Sequence, residues 1–224
     1  MAVHNGNHMI DRETIDFLTD RYARIGYDFP SMRHFMSEII DVLKRNIDIG
    51  EDSMFLDIGC GRGYFLRYLY ELGYKHVQGI DPSVALMENK LFDGIRKGSF
   101  EDNTFDDNSI DIVFTCHTLH HLPSTHPLHA IREMLRISRK YIVIVEINNT
   151  NIPMFFRSIL CLKVELNAFR YNLQKVRFML SNVECKIIYS SNMRSGYLSG
   201  SSFLYKQLAK IGMPPYNISI AEKK

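Results

Sequence analysis

An acid followed by three alternating glycines carries the first chemistry in this sequence: Asp57-Ile58-Gly59-Cys60-Gly61-Arg62-Gly63. Lacking Cβ atoms, such glycines let the backbone turn tightly and a ligand lie close against it. A helix starting just behind the loop aims its free N–H groups at the same place. A second carboxylate, Asp81, closes the short apolar run Val77-Gln78-Gly79-Ile80. A nucleoside-binding βαβ unit keeps the acid that accepts two ribose hydroxyls at about this distance. The other dense patch of reactive side chains is histidine: His117, His120, His121, His126 and His129. Imidazole takes up a proton near neutral pH, so His117 and His120 are the candidate general bases. The alternative is that these histidines bond backbone and shape a pocket wall. A metal centre is not expected, because no cysteine or carboxylate completes a familiar ligand set and Pro123 and Pro127 interrupt the spacing.

These groups need elements to hold them. Residues 1–10 read as a loose tail, and helical periodicity around Ile15, Phe17 and Leu18 is broken from Gly26 to Pro30. A second helix is expected from Ser31 as N-cap, with Met32, Phe35, Met36, Ile39, Ile40 and Leu43 on one face. Tyr22, Arg24, Tyr27 and Arg33 on these helices read first as solvated. Behind the glycine loop, Phe65, Leu69 and Leu72 form a helical stripe that Gly73 can end, and Pro82-Ser83 opens a further helix. Asp111 leads the apolar run Ile112-Val113-Phe114, which suits a sheet buried on both faces. A helix with Leu128, Ile131, Met134 and Leu135 inward and Arg132, Glu133 and Arg136 outward precedes the strand Tyr141–Val145, which ends on Glu146. Two last strands are read at Cys185–Tyr189 and Pro215–Ala221.

The run Leu56-Asp57-Ile58-Gly59-Cys60-Gly61-Arg62-Gly63, with a strand before, a helix after and Asp81 beyond, resembles the first motif of class I S-adenosylmethionine-dependent methyltransferases. Thr115-Cys116-His117-Thr118-Leu119-His120-His121-Leu122-Pro123 resembles the strand-4 exit of that family's small-molecule branch, the methyltransferase type 11 group. The resemblance covers residues 51–147 by specific motifs and the C-terminal part by arrangement. It implies an α/β, Rossmann-like fold: a seven-stranded, mostly parallel sheet with helices on both faces and the last strand antiparallel. It implies S-adenosyl-L-methionine as cofactor, with S-adenosyl-L-homocysteine as product. Asp57 with Gly59, Gly61 and Gly63 would hold the methionine end and Asp81 the ribose, with Cys60, Pro82, Ser99, Phe100, Thr115 and Cys116 as further cofactor contacts. Ser99 departs from the family, which most often has an acid there to meet the adenine amino group; Glu101 is the alternative.

The chain of 224 residues suits one domain: cap helices over 1–50, a cofactor core over 51–147, a substrate-lid insert over 148–180, and two last strands over 181–224. Within the insert, Phe155, Phe156 and Phe169 are candidate substrate contacts, with ordinary core as the competing reading. His121 and Glu146 are further substrate-side candidates, Glu146 having a surface or helix-capping role as its alternative. A net charge of +2 and the lack of a Lys/Arg cluster argue against nucleic acid as the partner and leave a small, partly apolar acceptor. Four cysteines without C-x-x-C spacing, no signal-peptide pattern and no long apolar run suggest reduced thiols and a cytoplasmic setting without a membrane span. A non-catalytic cofactor-binding module, a nucleic-acid methyltransferase and a nicotinamide dehydrogenase are the rivals to small-molecule methyl transfer. The glycine spacing disfavours the last of these.

Overall fold

Apolar side chains recurring three and four apart make the first helix, and continuous apolar runs make the strands behind it. In the computed structural model, residues 29–88, 90–122, 126–150, 168–193 and 215–224 are described. Helix α1 (Phe29–Asn46) buries Met32, Phe35, Met36, Ile39, Ile40 and Leu43, and ends with Lys44 and Arg45 at its negative end. Strand β1 (Met54–Ile58), helix α2 (Tyr64–Glu71) and strand β2 (His76–Asp81) follow as one βαβ unit. The short helix α3 (Val84–Glu88) and strand β3 (Ile95–Lys97) complete that half.

Strand β4 (Ile110–Cys116) begins the second half; a 3-10 turn (Leu119–His121), helix α4 (Pro127–Ile137) and strand β5 (Ser138–Ile147) come after it. A second 3-10 turn (Ala168–Arg170), helix α5 (Leu173–Ser181), strand β6 (Cys185–Met193) and strand β7 (Tyr216–Lys223) end the chain. The sheet has seven strands in the order β3-β2-β1-β4-β5-β7-β6. The first five run parallel, while β7 pairs antiparallel with both β5 and β6. The fold expected from the motifs is the one observed.

Two apolar layers cover the sheet. On one face α1 and α2 pack over Phe55, Phe114, Val143, Val145 and Ile218, with Phe65 stacked on Phe114 at 4.2 Å. On the other, α4 and α5 pack over Leu56, Ile58, Val113, Ile142 and Ile144. Alternate residues of each buried strand feed the two layers, as the period of two requires. Asp111 joins strands at their start: its Oδ2 accepts the Met54 N–H at 3.0 Å, while Oδ1 takes Arg139 at 2.9 Å.

Some details differ from the reading of the sequence, beginning with α1, which starts at Phe29 and so holds Ser31 inside it rather than as its N-cap. Arg136 and Glu133 are half-buried rather than turned outward, with only Arg132 exposed among the three. The Arg136 guanidinium donates to Glu133 at 2.7 Å, to the Phe105 carbonyl at 2.8 Å and to Asp107 at 2.5 Å, so it ties α4 to the loop before β4. Residues 168–180, part of the segment assigned to a lid, enter the core: Tyr171, Val176, Met179 and Leu180 are buried in the α4/α5 layer, while Phe178 is exposed. Phe155 and Phe156 lie outside the described residues, and Phe169 falls in the second 3-10 turn. Among the described residues, no helix is long and apolar enough to cross a membrane.

Candidate functional site

Parallel strands all present their C-terminal ends to one edge of the sheet, and that edge gathers the sequence's reactive residues. The glycine loop leaves β1 there. Gly59, Gly61 and Gly63 have φ of 76°, 55° and 81°, the left-handed region that glycine enters without strain. The N–H groups of Gly59 and Cys60 both donate to the Ile80 carbonyl, at 2.8 and 3.2 Å, which folds the loop over the end of β2. A Cβ on Gly59 would stand 2.4 Å from Thr118 Cγ2, so the loop also lies tight against the exit of β4. A Cβ on Gly61 would meet only Leu86 Cδ1, at 3.9 Å, an ordinary contact that leaves room for it. That opening is a backbone cradle a ligand can enter.

Asp81 ends β2 inside this cradle. Its Oδ2 accepts the Gly61 N–H at 2.8 Å and its Oδ1 the Ser83 N–H at 2.9 Å. A carboxylate has about four lone-pair directions, so each oxygen keeps one for a hydroxyl. Burial raises the Asp81 carboxyl above its ordinary value, and the two backbone N–H groups pull it back. Asp57 is fully enclosed, and burial first, then the Asp81 charge, push its carboxyl well above the usual range. Asp57 Oδ1 has no hydrogen-bond partner. A buried acceptor left unmatched is rare and costly. Two neighbouring carboxylates, one of them with an unpartnered oxygen, fit a ligand that brings a cation and hydroxyls to this edge; the ammonium and ribose of S-adenosylmethionine are such groups.

The other expected cofactor residues are placed less directly. Ser99 Oγ accepts the N–H groups of Glu101 and Asp102, at 3.2 and 3.0 Å, and donates to Glu101 at 3.1 Å, so it organises its own turn. Phe100 is buried among Leu56, Ile58 and Ile80. Thr115 is fully buried and donates to the Ile58 carbonyl at 2.9 Å, joining β4 to β1. Pro82 is exposed and Cys116 half-buried. Burial raises the Cys60 thiol, with Asp57 and Asp81 adding to it.

The histidines divide. His117 takes a left-handed φ of 59° at the turn out of β4, its N–H on the Val145 carbonyl at 2.9 Å, and its ring lies 4.4 Å from that of Tyr216. His120 is buried, with Nδ1 2.7 Å from Glu146 Oε2. Glu146, also buried, takes the Leu119 N–H on Oε1 at 2.8 Å. His121 is half-buried, its ring 4.1 Å from that of His120. His129 is exposed and His126 faces Glu101 at 3.5 Å, so neither joins this group. The pairing of His120 with Glu146 was not read from the sequence, although both residues were singled out separately. Tyr171 was read only as an aromatic of the insert, not as a site residue: its hydroxyl donates to the Leu119 carbonyl at 3.0 Å, under the same turn.

Comparison with known proteins agrees with this geometry. Residues 56–144 match the family described as "Methyltransferase domain". Protein arginine N-methyltransferase 1 of Chlamydomonas reinhardtii is 29% identical over 120 residues, which are 47% of this chain and 34% of that protein. A tRNA U34 carboxymethyltransferase of Helicobacter pylori (strain HPAG1) is 29% identical over 103 residues, 41% of this chain and 39% of that protein. The chain thus spans little more than a third of the length of these curated relatives. Among solved structures, an S-adenosylmethionine-dependent methyltransferase of Thermotoga maritima, named as a possible histamine N-methyltransferase, superposes with a TM-score of 0.66 at 17% identity, over 95% of this chain and 99% of that one. The fold is that of class I S-adenosylmethionine-dependent methyltransferases, as the glycine loop and the exit of β4 led us to expect.

Proposed function

We propose that this chain, whose residues 56–144 form a methyltransferase domain, moves the methyl group of S-adenosylmethionine onto a small-molecule acceptor. The observation that carries the cofactor half is the unpartnered, buried Asp57 Oδ1 beside Asp81, at the mouth of the open Gly61 cradle. When bound, S-adenosylmethionine supplies an electrophilic methyl carbon on a positive sulfur. Asp57 would face the ammonium, Asp81 the ribose hydroxyls, and the loop backbone the space between them. Displacement at a methyl carbon needs the nucleophile in line, so holding both partners still supplies much of the rate.

Support for a small acceptor comes from charge. A net charge of +2 over 224 residues, without a Lys/Arg cluster, gives little of the counterion release on which nucleic-acid binding depends. Calorimetry with S-adenosylhomocysteine should show binding to the native chain. Asp81→Ala should weaken it by about 1.5–3 kcal/mol, the usual contribution of hydrogen bonds to a charged group. Label from methyl-tritiated S-adenosylmethionine should then enter a small-metabolite extract. Label confined to tRNA or to protein would overturn the acceptor class, and unchanged affinity in folded Asp81→Ala would sink the ribose assignment.

A further inference from the structure

The carboxyl end of β5 and the turn after β4 lie side by side because the two strands are parallel neighbours. That adjacency brings together groups distant in sequence. Glu146 Oε2 meets His120 Nδ1 at 2.7 Å and also accepts the Ile147 N–H at 3.2 Å, while Oε1 accepts the Leu119 N–H at 2.8 Å. Asn217, opposite Glu146 in the β5–β7 register, donates to the carbonyls of Glu146 and Ile147 at 3.2 and 3.1 Å. The carboxylate is held from several sides. His120 is 1% exposed, and its far nitrogen, Nε2, is buried without a hydrogen-bond partner.

A carboxylate oxygen accepts, so a neutral imidazole bonded to it through Nδ1 carries its proton there and keeps a lone pair on Nε2. A buried lone pair with nothing to accept is a group prepared for a donor. The titratable groups around it are His117, with rings 5.8 Å apart, His121, Glu146, and Tyr171, 6.2 Å away. Tyr171 is no rival proton carrier: its hydroxyl is donated to the Leu119 carbonyl, and burial with the Glu146 charge pushes its ionisation far up.

We infer that His120 and Glu146 form a proton-accepting dyad, and that the acceptor belongs to the class whose nucleophilic atom carries a proton to lose, a hydroxyl being the simplest case. The inference rests on the methyl-transfer reading. In the step, the acceptor oxygen bonds to the methyl carbon as the C–S bond breaks, its electron pair staying on sulfur. The hydroxyl proton passes to His120 Nε2, and the imidazolium formed lies against Glu146 until solvent takes the proton.

Glu146→Gln separates this role from a purely structural clamp. The amide keeps the size of the side chain and an oxygen for the Leu119 N–H, and gives up only the longer bond from the Ile147 N–H, so most of a clamp survives. Its NH₂ then faces His120 Nδ1, which must accept, and the imidazole proton moves to Nε2; the same reversal disables histidine bases in Ser-His-Asp triads. Nitrogen NMR of ¹⁵N-histidine-labelled full chain, with His120 assigned by its loss in His120→Gln, should show the proton on Nδ1 in the native protein and on Nε2 in Glu146→Gln. Methyl incorporation into the metabolite extract should fall on the order of 10²- to 10⁴-fold in Glu146→Gln and lose its rise with pH, the range expected of a general base. Affinity for S-adenosylhomocysteine should stay within about twofold. A native proton on Nε2, or a Glu146→Gln rate within about threefold of native, overturns the dyad. Failure of the native chain to bind S-adenosylhomocysteine overturns the methyl-transfer reading itself and the inference with it, and calorimetry distinguishes that outcome from the others.

Discussion

Asp57 shows how a single residue can be set against the fold that holds it. Its carboxyl is enclosed, raised well above the ordinary range by burial and then by Asp81, and one oxygen lacks a partner. The folded state therefore binds its proton more tightly than the unfolded chain does. Stability from this group is greatest at low pH and is lost as pH rises from the usual carboxylate range through the raised folded value. At neutral pH Asp57 is a liability to folding, kept for what it can hold. Asp57→Asn removes the charge and keeps the shape, so we expect melting at neutral pH to rise by about 2–4 °C, the shift for roughly 1 kcal/mol in a chain of this size. The gain should shrink as pH falls, and S-adenosylhomocysteine affinity should drop. Melting unchanged at all pH values would mean that Asp57 is satisfied by something else. The sequence made Asp57 legible through its motif, but not its missing partner, because burial of a particular oxygen depends on the whole packing. The same holds for His120 and Glu146, whose meeting is fixed by strand order.

At the scale of elements, the glycine loop was readable because each glycine has a local backbone reason, and the structure assigns the three different neighbours. Gly59 faces Thr118 with no room for a methyl group, whereas a methyl on Gly61 would meet only Leu86 Cδ1, at 3.9 Å. Either alanine would carry the left-handed penalty of about 1–2 kcal/mol. Gly59→Ala adds a clash at 2.4 Å with Thr118 Cγ2 and 2.5 Å with its Oγ1, so it should cost clearly more than Gly61→Ala in urea unfolding. Thr118→Ala should restore part of the loss in the Gly59→Ala background but none in the Gly61→Ala background. Gly61→Ala should instead weaken S-adenosylhomocysteine binding, because its methyl projects into the cradle. Equal costs for the two glycines, without rescue, would place the clash elsewhere. Less legible elements were those whose partner lies far along the chain. Arg136 has the pattern of a solvated helix residue until the loop carrying Phe105 and Asp107 folds onto it. Tyr171, Val176 and Leu180 carry an apolar spacing that suits a lid and a core equally, and the strand behind them decides for core.

Over the whole molecule, the order β3-β2-β1-β4-β5-β7-β6 puts the glycine loop, Asp81 and the exit of β4 on one edge, while two apolar layers support the sheet from both faces. The strands and helices over residues 51–147 were readable from local pattern, whereas their assembly into one mostly parallel sheet was expected from the family resemblance. The β7–β6 ending was readable only by resemblance, since nothing in an apolar run announces its direction. A ligand that binds only the folded chain stabilises all of it, because the edge exists only when β1, β2 and β4 are assembled. At about 100 times its dissociation constant such a ligand adds roughly 2.7 kcal/mol. With about 2–4 °C per kcal/mol for a chain of this size, S-adenosylhomocysteine should raise Tm by about 5–11 °C. NAD, whose pyrophosphate calls for the longer G-x-G-x-x-G spacing, should leave Tm unchanged at the same concentration. In Asp81→Ala the S-adenosylhomocysteine shift should shrink even where the unliganded Tm is kept, since the cradle loses its proposed ribose acceptor while the two core layers are untouched. A shift with NAD and none with S-adenosylhomocysteine would mean that this edge serves a dinucleotide, and that the roles given to Asp57 and Asp81 must be reassigned.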